Sequence, residues 1–374
     1  MKKYLRLMVL LVILGLFVMG QSGCTGCGGS PADTTKPSAL ISSPADGSTV
    51  SGTVTVRATA TDNVGVVKVE FYIDGNKVGE DTSSPYEYSW DTTQYTDGTH
   101  TITAKAYDNA GNVGESSTIS VTTENPNAPV TFADPNLEQV VRDALGIPAG
   151  QPITRPDMTS LTRLNAEVKD IRNLSGLEYA VNLQELNLNR NQISDISPLA
   201  NLTNLQVLVL GINQISDISP LANLTNLQVL YLGGNQISDI SSLANLTNLQ
   251  ELSLESNQIS NINPLANLTN LQVLHLNSNR ISNISPLANL TNLQRLNLNS
   301  NQISNISPLA NLTNLWYLGL SYNQISDISP LVSNTGLGER DLVYLQYNLL
   351  DLTPGSDDMQ NIQILQNRGV IVYY

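Results

Sequence analysis

The sequence predicts a multidomain chain: an all-β sandwich, then an α/β solenoid built on a curved parallel sheet and closed in front by a helix. Three observations carry this. Leucines recur every 22 residues from Leu161 to Leu337, apolar residues alternate with period two between residues 38 and 123, and a helical apolar stripe lies just ahead of the first repeat. At 374 residues the chain is also too long for one ordinary core.

The order of parts begins with a leader. Residues 1–23 read as a signal peptide, with Lys2, Lys3 and Arg6 ahead of an apolar run from Leu7 to Met19. As a helix that run rises only about 20 Å, short of a bilayer core of roughly 30 Å. The following Gln21-Ser22-Gly23-Cys24 resembles a bacterial lipoprotein signal, which implies a lipid on Cys24 and a chain exported and anchored to the bacterial envelope. Gln21 stands where that family usually has an aliphatic residue. The alternative is ordinary cleavage, leaving Cys24 and Cys27 as thiols or as a pair. Residues 24–37, rich in Gly, Ser, Thr and Pro, form a flexible tether.

Composition removes several function classes. The net charge is −14, so binding to nucleic acid or to an anionic surface is excluded as a role. Both cysteines lie near the N-terminus, and His100 and His275 lie in different predicted domains. The folded body therefore lacks a disulfide, a thiolate nucleophile and a histidine metal site, and no metal or cofactor is expected.

Residues 38–123 alternate: Val54, Val56, Ala58, Ala60, then Val67, Val69, Phe71, Ile73, with Asp74-Gly75 as a hairpin turn. Further runs at Tyr86–Trp90, Ile102–Ala106 and Ile119–Val121 bring the expectation to about seven strands of a sandwich. The stretches "VKVEFYIDG" and "WDTTQYTDGTHTITAKAYDNAGN" resemble bacterial immunoglobulin-like domains, which implies a spacer with Trp90 in its core. Asp62-Asn63 and Asp108-Asn109 offer oxygen ligands on two loops, but their spacing matches no dedicated calcium loop and reads as turn chemistry.

After a linker (124–130) comes the helical cap, residues 131–160. Leu137, Val140, Val141, Ala144 and Leu145 share one face of a helix over Pro135–Leu145, with Asp134 as N-cap and Gly146 as the stop. The repeats occupy 161–350 and a C-terminal cap 351–374. A typical unit, LQELNLNRNQISDISPLANLTN from Leu183, resembles leucine-rich repeats of the internalin type. In internalins the immunoglobulin-like part follows the repeats; here it precedes them. Within each unit Leu186 and Leu188 point inward, and Asn191 and its equivalents, including Asn235, Asn257 and Asn323, form a ladder that satisfies backbone groups at a corner. Ser197-Pro198 reads as N-cap and first helical residue. Nine strands at about 4.8 Å span roughly 38 Å.

The third, fifth and seventh residues of a unit face the concave side, with the eighth on the rim. Two candidate ligand-binding patches result. One is apolar: Val207, Val209, Ile212, Val229 and Tyr231. The other is aromatic: Trp316, Tyr317, Tyr322, Tyr344 and Tyr347. The valines also suit any strand, the tyrosines also suit a packed cap, and His275 reads as a solvated strand residue. Glu251 and Glu255 are the candidates for carboxylate catalysis, but no partner residue supports them, and no catalytic residue is assigned. The Asn-Leu-Thr triplets match a glycosylation pattern and read as structure. The expected function is non-enzymatic recognition of a protein ligand by a monomer, with the membrane reached through the lipid. A carbohydrate or cell-wall ligand, or a structural envelope role, is the alternative.

Overall fold

The computed structural model describes residues 32–374, and the leader and Cys24 lie outside the described residues. It divides into two compact units on either side of Asn125 and Pro126. Among the described residues no helix is long and apolar enough to cross a membrane.

The first unit is a sandwich of nine strands: β1 (Ser38–Ser43), β2 (Thr49–Val50), β3 (Thr53–Thr61), β4 (Val66–Ile73), β5 (Asn76–Asp81), β6 (Tyr86–Asp91), β7 (Gly98–Asp108), β8 (Val113–Glu115) and β9 (Ile119–Thr123). One sheet runs β1-β3-β6; the other runs β2-β9-β7-β4-β5, with β8 on β7. The alternating residues meet between the sheets, where Val56, Val69, Phe71, Ile73, Trp90 and Ile102 are buried. Val67 departs from the expected alternation and faces solvent. The register between β4 and β7 slips between Val66 and Lys68, and such a bulge turns one extra side chain outward. Asp74 and Gly75 both take positive φ, as a tight hairpin turn between twisted strands requires. Glu70 is buried on β4 yet accepts from Lys68 at 2.7 Å, Lys77 at 2.6 Å, Tyr72 at 2.8 Å and Tyr107 at 2.9 Å. Burial pushes its carboxyl up, but these donors outweigh it and hold the group well below the usual range.

The second unit opens with α1 (Pro135–Leu145), whose Asp134 cap accepts from Asn136 and Leu137 and whose stop, Gly146, is left-handed. Leu137 and Val141 are buried as expected, whereas Ala144 faces solvent. Arg142 takes that share of the buried face. Its guanidinium donates to the carbonyls of Pro148 and Gln151, tying down the loop beyond the helix. A short α2 (Arg155–Ser160) follows, closed by a capping box between Thr154 and Asp157.

The solenoid sheet has ten parallel strands in chain order: β10 (Arg163–Asn165), β11 (Glu185–Asn187), β12 (Val207–Val209), β13 (Val229–Tyr231), β14 (Glu251–Ser253), β15 (Val273–His275), β16 (Arg295–Asn297), β17 (Tyr317–Gly319), β18 (Leu342–Tyr344) and β19 (Ile371–Tyr373). Registers advance by one repeat, as in Leu186↔Leu208 and Leu208↔Leu230. The repeated leucines and isoleucines form one continuous buried core that no single repeat closes alone. The tenth strand, beyond the nine expected, comes from the C-terminal cap after α3 (Asp357–Asn367).

Two local expectations change. Ser197 is not an N-cap. Ile196 holds that position, and Asp195 Oδ1 accepts from Ser197 N at 2.8 Å. Ile196 is committed to the core, so an exposed side chain next to it does the capping. The corner asparagines do bond the backbone throughout, but only Asn191, Asn235 and Asn323 are buried; Asn257 is partly exposed.

Candidate ligand-binding face

Strand geometry turns every second side chain of β12–β14 away from the core, so the concave surface takes its shape from the variable residues. Val207 pairs with Val229 and Val209 with Tyr231, placing the four side by side as the repeat predicts. All four are half-buried. Beside them lies a hollow of about 480 Å³. Val209, Ile212, Tyr231 and Val273 supply apolar wall; Ser253, Glu255 and His275 supply polar wall; Val207 and Val229 stand outside it.

The hollow exists because Gly211 and Gly233 occupy the seventh position of consecutive repeats, where Asn189 precedes them and Glu255 follows. Glu255 lies across Gly233: a Cβ there would fall 2.2 Å from its Oε1. Ser253 Oγ donates to the same carboxylate. Tyr231 Oη donates to Glu251 Oε2 at 2.5 Å. Burial and then this bond push the Tyr231 hydroxyl up to about 12, so it stays a donor at neutral pH. His275 is half-buried in the wall, not a solvated strand residue, and burial pulls its pKa down. Glu251 and Glu255 thus serve as acceptors for neighbouring hydroxyls.

Ile212 on the rim is 53 % exposed and holds φ at +51°. A β-branched residue in left-handed geometry is a true outlier. The conformation is enforced, because Ile212 N donates to Gly233 O at 2.7 Å within the ladder. The next repeat places Gly234 at this corner, with φ at +70°.

The aromatic patch resolves into two stacks. Tyr317, Tyr344 and Tyr373 succeed one another across β17–β19, with centroids 5.5 Å and then 4.7 Å apart. Tyr322 and Tyr347 sit at left-handed corners and stack at 4.2 Å with rings inclined by 14°. Trp316 meets Tyr317 edge-on, and the Arg295 guanidinium lies 5.3 Å and 5.7 Å from the two rings. Arg295, Tyr373 and the two glycines were not singled out from the sequence, and His275 was read there as solvated. The glycine pair was the available signal, since no other adjacent units lack a side chain at that concave position.

Residues 37–104 match the model of a bacterial Ig domain, and residues 181–223, 225–267 and 269–311 match leucine-rich repeats. An internalin of Listeria monocytogenes, inlF, aligns at 40 % identity over 65 % of this chain and 68 % of its own, with a TM-score of 0.58. Internalin C2 of the same organism aligns at 40 % identity over 59 % of this chain and 94 % of its own, with a TM-score of 0.54. The chain belongs to the internalin family. A leucine-rich-repeat protein of Leptospira interrogans, at 22 % identity over 59 % of this chain and 62 % of its own with a TM-score of 0.51, shares the fold. No curated protein matches the chain. In this solenoid the concave sheet carries residues that differ from repeat to repeat, and both candidate patches lie on it or its rim.

Proposed function

We propose that the concave face binds a protein partner, with the hollow beside Gly211 and Gly233 as its anchoring point. The carrying observation is the union of apolar walls with hydrogen-bonded, half-buried polar groups in a depression lined by two glycines. Such a site takes one projecting side chain of a partner while the flanking valines exclude water. The sandwich over 38–123 serves as a spacer. The leader and the lipoprotein-like sequence at Cys24 support export with a lipid anchor, and the same reading makes the protein a monomeric surface adhesin. Family and fold are those of binding proteins and not of enzymes.

A carbohydrate ligand is the second reading, supported by Tyr347, which is 69 % exposed. Against it, each of these rings already has one face covered by a neighbouring tyrosine. Screening the full chain in parallel on a glycan array and on a displayed-protein library separates the two. Saturable binding on the protein library with a silent glycan array is expected. Glycan binding abolished by Tyr347→Ala transfers the function to the aromatic patch.

A further inference from the structure

Three acidic side chains from separate stretches meet within the sandwich unit. Asp33 precedes β1, Asp62 follows β3, and Asp108 ends β7. One carboxylate oxygen from each lies within 4.8 Å of the others. Local bonds account for part of each group. Asp33 Oδ1 accepts from Thr35 N at 3.0 Å and Asn63 Nδ2 at 3.3 Å. Asp62 Oδ2 accepts from Val64 N and Gly65 N, both at 2.9 Å. Asp108 accepts from Asn112 N at 2.8 Å and Nδ2 at 2.7 Å.

Turn chemistry leaves a remainder. Asp33 Oδ2 and Asp62 Oδ1 are shut off from solvent and accept no hydrogen bond, and Asp108 is only 4 % exposed. Among the described residues no lysine or arginine forms an ion pair with any of the three. A buried carboxylate oxygen without a donor is costly, and like charges at this range add to the cost. A bound cation removes both penalties together.

We propose that Asp33, Asp62 and Asp108 form a calcium site that fastens the segment before β1 to the β3–β4 loop and the end of β7. The donors are all hard oxygens. Oxygens within 4.8 Å of one another can share one ion, and three carboxylates on unconnected loops suit calcium, which tolerates irregular oxygen sets, better than magnesium, which demands near-ideal octahedral geometry. Reading Asp62-Asn63 and Asp108-Asn109 as turns is correct for the oxygens that cap backbone amides. The third carboxylate, Asp33, was not visible as their partner because it comes from the stretch ahead of the sandwich.

The test uses the full chain and calcium chloride alone, by titration calorimetry and by the melting of the sandwich in calcium or in chelator. A dissociation constant of about 10⁻⁴–10⁻³ M is expected, with melting that rises with calcium. Asp33→Asn lies outside every strand and should lose at least about tenfold in affinity, one or more of the ion's few oxygen contacts being weakened. The sign of its effect on melting should reverse between media. In chelator the variant melts at or above the parent, since a repelling charge is gone; in calcium it melts below. Absence of binding heat with equal parent melting in both media overturns the proposal. So does an Asp33→Asn variant that melts above the parent in both, or magnesium binding as tightly as calcium.

Discussion

Asn235 donates to the carbonyls of Leu210 and Leu232 at 3.0 and 2.9 Å and accepts from Ile215 N at 3.0 Å. One side chain thus closes three backbone groups at a corner that water does not reach. Asn235→Ala strands them, and a loss of about 1–3 kcal/mol is expected in chemical denaturation of the repeat unit. Asn257→Ala, at a partly exposed copy of the same corner, should cost less, because water substitutes for the lost amide. The capping change at Ser197 follows similar logic. Which of two adjacent polar residues caps a turn depends on where the neighbouring isoleucine is anchored, and the one-dimensional pattern does not contain that. Nor did it single out the second ladder, in which Asn226, Asn248 and Asn270 each donate at 2.8 Å to a threonine carbonyl of the preceding repeat.

At the scale of elements, β4 depends on the charge of Glu70. Its carboxyl is held below the ordinary value of 4.5 by Lys68, Lys77 and two tyrosines despite burial. A depressed carboxylate stabilises the fold above its unfolded value and loses that contribution as pH falls through the folded one. The sandwich should therefore lose stability on acidification below 4.5. Glu70→Gln should melt lower than the parent at neutral pH and vary less over the acidic range. At the other end, Tyr344 lies between Tyr317 and Tyr373, so its faces hold β17–β19 together. Tyr344→Ala should cost about 1–3 kcal/mol, two ring contacts' worth, and speed hydrogen exchange in β19. Unchanged exchange there leaves Tyr344 available as a ligand contact. The sequence disclosed the strands because leucine spacing dictates them. The bulge at Val67 depends on pairing with β7, and β19 follows a helix that breaks the 22-residue count.

Across the whole molecule, the concave columns placed Val209, Ile212 and Tyr231 together from sequence, because parallel strands in register carry each column across the sheet. The hollow itself was hidden, since it is made by what Gly211 and Gly233 lack. The proposed anchor is tested by Cys24→Ser, which should leave an unprocessed precursor or release the protein from membranes; normal processing and retention contradict it. The concave site is tested most directly at Ile212. This residue stays left-handed at a cost of about 1–2 kcal/mol that glycine does not incur. A costly exposed side chain beside a hollow is the mark of a residue kept for contact. The decisive measurement is the affinity of the full chain for its selected protein partner, parent against Ile212→Gly, with melting followed alongside. The expected result is binding weakened by about tenfold or more while the solenoid melts at or above the parent temperature. Unchanged affinity, or a variant that binds less only because it melts much lower, contradicts the concave hollow as the recognition site.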